Sequence, residues 1–140
     1  MNIKRGRNEI QQNEDSKYKD LFENSPIAIR EEDFSDVKKY IDSILDSGIE
    51  DLNEFFNKNY EELKKCVSKI RIIDINKATL DLFEASNKQE FKEEYHTTFS
   101  KETFNLFRKE LSSLSKGSDI SEGEAKIITL NGNQKYVLTR

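Results

Sequence analysis

The chain of 140 residues holds one cysteine, one histidine, one proline, five glycines and no tryptophan. A single cysteine excludes an intrachain disulfide and any zinc site built on several thiolates. It fits a reducing compartment, so a cytoplasmic setting is expected. No apolar run is long enough for a transmembrane helix or a signal peptide. Cationic excess is also missing: 23 Lys and Arg against 27 Asp and Glu leave a net charge of -4, so no basic field invites nucleic acid. The glycines and serines form no G-x-S-x-G, G-x-x-x-x-G-K-[ST] or G-x-G-x-x-G pattern. Catalysis therefore has no support, and a non-enzymatic role is expected.

What is present describes a soluble chain with a heavily charged surface, since 34% of residues are apolar and 36% charged. That apolar share is below the average of globular chains, which leaves room for a disordered end. The length suits one domain with a real core. Residues 1–17 carry few large apolar groups and read as a polar tail or a helical linker. Tyr18, Leu21 and Phe22 then share a helical face, and Pro26 stops that helix.

Two segments look like short strands running into capped helices. Ile27–Asp33 is the first, with Ile27 and Ile29 on one side; Ile70–Ile75 is the second. Its phase is ambiguous, because Ile70 and Ile72 share one face while Ile73 and Ile75 share the other. Between them, residues 35–69 read as three helices. Ser35 caps the first, whose stripe is Val37, Tyr40, Ile41, Ile44 and Leu45, and Gly48 ends it. Ile49, Leu52, Phe55 and Phe56 mark the second; Leu63, Cys66, Val67 and Ile70 mark the third. Downstream, Asn76, Asn87 and Ser100 are expected caps. The last opens a long helix with Phe104, Phe107, Leu111 and Leu114 on its buried stripe, ended by Gly117. Asn131-Gly132 predicts a type I′ hairpin between Glu122–Leu130 and Gln134–Leu138. The fold class expected is α+β, one antiparallel sheet with helices on one face.

Candidate chemistry is sparse. His96 has no carboxylate or thiol partner nearby in sequence and reads as a loop histidine. Cys66 falls in the apolar phase of its helix and reads as a small core residue. Glu31, Glu32 and Asp33 lack calcium-loop spacing and read as solvated edge charge. Phe104 and Phe107 suit either a small-molecule cavity or plain packing, and periodicity does not separate the two.

With these elements in order, the chain resembles a PAS domain, the sensory box of bacterial signalling proteins, in the subgroup with a helical insertion after the first strand. The carrying stretches are Tyr18–Ile29, Glu31–Ser35 and Ile73–Ala78, then Leu82-Phe83 with Ala85-Ser86 and Lys88, and finally the Thr129–Gly132 hairpin. The match spans residues 18–140. It implies a five-stranded antiparallel sheet whose ligand cavity is lined by Ile27, Ile29, Ile73, Ile75, Phe104, Phe107, Leu111, Ile127 and Val137. Neither flavin nor haem is implied, since no Asn-Cys-Arg sequence occurs and His96 precedes the long helix. The implied function is signal input to a histidine kinase (a two-component system) or a cyclic-dinucleotide enzyme. A small molecule or a partner would be bound, in a homodimer, without metal or nucleic acid. The alternative is a ligand-free dimerisation or interaction module. Three departures stand out: Glu84 where the family usually has glycine, Arg30 where this subgroup often has an aromatic, and no fifth, central strand. The last implies a fragment of a longer protein, or a variant that completes its sheet by dimerisation or strand exchange.

Overall fold

Amide and hydroxyl side chains set where three of the helices begin. The computed structural model describes residues 3–117 and 123–139, and in it Asn76 Oδ1 accepts from Thr79 N at 3.1 Å and Asn87 Oδ1 from Glu90 N at 2.8 Å. Ser100 and Thr103 form a reciprocal capping box. These caps open α5 (Lys77–Phe83), α6 (Lys88–Glu94) and α7 (Lys101–Ser115). Ser35 does not cap α2 (Ser35–Asp46). It is the first helical residue, and Asp33 Oδ1 takes both its N–H and its hydroxyl. Asp51 caps α3 (Leu52–Lys58), and α4 (Tyr60–Ser68) follows directly. A tight 3-10 turn, Tyr95–Thr98, separates α6 from α7.

The expected stripes are buried or partly buried, except that Leu114, expected on the buried stripe of α7, is 40% exposed in its last turn. Val37, Ile41 and Ile44 of α2 meet Leu52, Phe56, Leu63, Cys66 and Val67 of α3 and α4, and all pack on Phe104, Phe107 and Leu111 of α7. A second cluster joins Ile72, Ile75, Phe83, Phe91, Tyr95 and Ile127, with Ile70 and Phe99 touching both clusters. The first helix, α1, runs unbroken over Ile3–Asn24, so residues 3–17 are helical rather than frayed. Its end is anchored. Phe22 is buried, and Lys88 bridges Glu23 and Asp74, while residues 11–20 are all exposed.

The strands account for the ambiguous isoleucines. β1 (Arg30–Asp33) pairs antiparallel with β2 (Arg71–Ile75), and the register shifts between Glu31 and Glu32. A bulge inserts one residue and so changes which side chains share a face. Ile72 and Ile75, three apart, are therefore both buried, and Ile73 is left 47% exposed. β3 (Gly123–Ile128) pairs with β4 (Gln134–Thr139); Glu122 lies outside the described residues. Their turn is not type I′, which needs φ above zero at both central residues. Among the described residues only Glu84 and three glycines have positive φ, so Asn131 does not. Gly132 N donates to Thr129 O and Gly132 has φ 87°, the type I turn with a left-handed glycine that closes three-residue loops.

Instead of one sheet, the described residues form two separate two-stranded ribbons, β1–β2 and β3–β4. The architecture is α+β. The far edge of β3 is covered: Phe99 bridges Ile127, and Lys126 O accepts from the hydroxyls of Ser100 and Thr103. Antiparallel ladders alternate the direction of successive peptide groups. Because Lys126 points away from β4, its partner Tyr136, and Leu138 beyond, turn their N–H and C=O to the free edge of β4. Likewise Asn76 N bonds Ile29 O, so the peptide groups of Arg30 turn away from β2.

Candidate functional site

The segment leading into β1 is held by a buried amide. Asn76 is fully buried; its Oδ1 accepts from Ile29 N at 2.9 Å and its Nδ2 donates to Ile27 O at 2.7 Å. Thr79 Oγ1 donates to Ile29 O at 2.9 Å. Residues 27–29 therefore follow the cap of α5 rather than a strand ladder, and Ile27 and Ile29 end up 71% and 37% exposed. The strand proper starts at Arg30, and its inward residues are Arg30 and Glu32.

Those two groups build a polar cluster against aromatic rings. The Arg30 guanidinium lies 5.2 Å from the Tyr95 ring centroid and 5.7 Å from that of Phe83. Such stacking of a cation on ring faces is worth about 1 kcal/mol at half-exposed sites. Arg30 Nε is 3.3 Å from Glu32 Oε1, and the Tyr95 hydroxyl donates to the same oxygen at 3.2 Å. Arg30 thus holds together two rings of α5 and the 3-10 turn and a carboxylate of its own strand. Burial pushes the Tyr95 phenol well above its ordinary value, which the Arg30 charge offsets only partly. On α7, Glu110 sits one turn beyond Phe107 and within the field of both Arg30 and Glu32. Burial raises its carboxyl first, and the like charge of Glu32 adds to it against the pull of Arg30.

The nine expected lining residues do not gather round one cavity. Phe104, Phe107 and Leu111 belong to the helical cluster, while Ile75, Ile127 and Val137 pack in the other. Ile27, Ile29 and Ile73 face outward, for the two reasons given: the Asn76 clamp and the bulge. Phe104 and Phe107 touch other rings. Phe99 lies 5.1 Å from Phe104 and 5.9 Å from Phe107, and a chain of ring contacts runs on through Tyr95 and Phe91 to Phe83. One hollow of about 680 Å3 lies beside Pro26, Ala78 and Leu82.

Cys66 is fully buried and its thiol is pushed up to about 12, chiefly by burial, so it is a core residue and not a nucleophile. His96 is exposed, in the turn before α7. The acidic run is not a uniform solvated edge. Glu31 is exposed, Glu32 joins the cluster, and Asp33 accepts from Ser35 and meets Arg71 at 2.6 Å. Two clues to the cluster were in the sequence. Arg30 and Glu32 are two apart on a strand, hence on one face, and Glu110 interrupts the apolar stripe of α7 at the i+3 position from Phe107. Among the described residues no helix is long and apolar enough to cross a membrane, and no group of acidic, cysteine and histidine side chains is placed to hold a metal. Comparison with protein-family models, with curated proteins and with solved structures returned no match to this chain.

Proposed function

We propose that the chain is a PAS-like signal-input module that is loaded by a polypeptide strand. The observation that carries this reading is the pair of ribbons over a shared core. Among the described residues β1 and β4 each have one strand partner, while Ile72, Ile75, Ile127 and Val137 pack in one cluster. An added strand would supply the missing hydrogen bonds of such an edge. The order of elements, with three helices between β1 and β2, supports the resemblance from which the signalling role comes. The filled ring stack weighs against a large small-molecule cavity between α7 and the strands. The output, a histidine kinase or a cyclic-dinucleotide enzyme, is part of the proposal. The relay would run through the Glu23–Lys88–Asp74 bridge, which ties α1 to β2.

Amide hydrogen exchange read by NMR tests it. In the protein alone, Arg30, Tyr136 and Leu138 should exchange fast while Val137 is protected. An added strand should protect all of them and shift the resonances of residues 18–24. Protection of Tyr136 and Leu138 in dilute isolated protein would sink the reading. Protection by a peptide with residues 18–24 unmoved would reduce the module to a plain interaction domain.

A further inference from the structure

Asn131-Gly132 is the one Asn-Gly step of the sequence, and both residues are exposed. Glycine carries no side chain to shield its own amide nitrogen, so the Asn131 side-chain carbon can approach it closely. In the folded chain that nitrogen is occupied: Gly132 N donates to Thr129 O at 2.9 Å. Asn133 closes the same turn. Its N–H donates to Thr129 Oγ1 at 2.9 Å, and its carbonyl accepts from Thr129 N at 2.7 Å. The turn is also held to the end of α5. Leu130 N donates to Phe83 O at 2.9 Å, and Asn133 Nδ2 donates to both carboxylate oxygens of Glu84. A reactive step therefore lies at the surface with its attacking atom tied up, in a turn gripped by another element.

We propose that Asn131 is a site of spontaneous deamidation whose rate is governed by the grip of α5 on the β3–β4 turn. When the bond from Gly132 to Thr129 opens, Gly132 N gives its proton to hydroxide and attacks Asn131 Cγ. The N–Cγ bond forms, the Cγ–Nδ2 bond breaks, and Nδ2 leaves as ammonia with a proton taken from water. Water then opens the succinimide ring at either carbonyl, giving aspartate or isoaspartate. The aspartate form keeps the length of the backbone. The isoaspartate form routes the chain through the side-chain carbon and adds one atom inside the loop closed by Thr129 and Asn133. That displaces Asn133 Nδ2 from Glu84. The modification is a one-way release of the turn from α5.

Peptide mapping by mass spectrometry of protein aged in mildly alkaline buffer tests the inference. Trypsin cuts after Lys126 and Lys135, and fragment ions of the peptide 127–135 separate Asn131 from Asn133. Asn131 should convert before Asn133 and before the exposed Asn24, with isoaspartate as the main product. Glu84→Ala and Asn133→Ala break the grip from opposite sides. Each should speed conversion roughly fivefold, the scale of one hydrogen bond, with circular dichroism confirming the fold. The free peptide 127–135 should convert faster still. Hydrogen exchange at the Leu130 amide should be fast in the isoaspartate form and as slow as in the parent in Asn131→Asp. Conversion of Asn131 no faster than that of Asn24 overturns the site. Equal rates in the parent and both variants overturn the grip. A protected Leu130 amide in the isoaspartate form overturns the release.

Discussion

Asn76 divides one buried amide between two segments of the chain, capping α5 while holding the carbonyl of Ile27 and the N–H of Ile29. Asn87 makes the same kind of cap on α6 but is exposed and holds nothing else. Replacing Asn87 by alanine should cost about 1 kcal/mol, the ordinary value of a cap. Asn76→Ala should cost about 2–3 kcal/mol, since buried backbone groups lose their partners as well. Urea denaturation compares the two, and equal losses would mean that the clamp on residues 27–29 adds nothing. Glu84 is the other special residue. It ends α5 in the left-handed region, φ 56° and ψ 39°, where a side chain costs about 1 kcal/mol or more. Its carboxylate accepts both contacts from Asn133 Nδ2, at 2.7 and 2.9 Å, so the strained residue also fastens the β3–β4 turn. Glu84→Ala keeps the strain and loses the contact; Glu84→Gly loses both. Glycine should therefore be the more stable of the two by about 1 kcal/mol, and a lower urea midpoint for glycine would refute the strain.

Among the elements, α1 and α7 are opposites. α7 packs its phenylalanines into the helical core and braces β3 through its first turn. α1 leaves residues 11–20 exposed and is anchored at its end through Phe22 and Glu23. A polar helix with no apolar face of its own needs a neighbour or many side-chain pairs to persist. Deleting residues 3–14 should thus lower the helical circular dichroism signal yet move the unfolding free energy by less than about 0.5 kcal/mol. Phe22→Ala, at the anchored end, should cost about 3 kcal/mol. If the deletion costs as much as Phe22→Ala, the arm is packed on the body after all.

For the whole molecule, the charges oppose one another in acid. Hydrogen bonds hold Asp33 and Glu84 below their ordinary values, from Ser35 in the first case and from Thr129 and Asn133 in the second. Groups depressed in the folded state contribute stability above their unfolded pKa of about 4, and that contribution is lost as pH falls through the folded value. Glu110 has the reverse sign. Its folded value is raised, so its ionised form penalises the fold at neutral pH, and the penalty vanishes below about pH 4. Glu110→Gln should therefore raise the urea midpoint at neutral pH and leave it unchanged near pH 3. A gain of the same size at both pH values would show that Glu110 carries no buried charge.

Local information was readable along the chain. Asn76, Asn87 and Ser100 begin the helices that their positions foretell, and the stripe from Val37 to Leu111 is the helical core, because caps and stripes involve groups only a few residues apart. The outward turn of Ile27, the inward turn of Arg30 and the separate ribbons were not readable. Each depends on partners far off in sequence: Asn76 meets Ile27 across 49 residues, and Asn133 meets Glu84 across the same span. The bulge in β1–β2 likewise exists only once two strands are paired, and it decides which isoleucines are buried. The sequence by itself determined where α5, α6 and α7 start and which helix faces are apolar. Only the tertiary structure decided that a charged face of β1 looks inward, since an arginine is tolerated there only with two rings and a carboxylate brought to it from other elements.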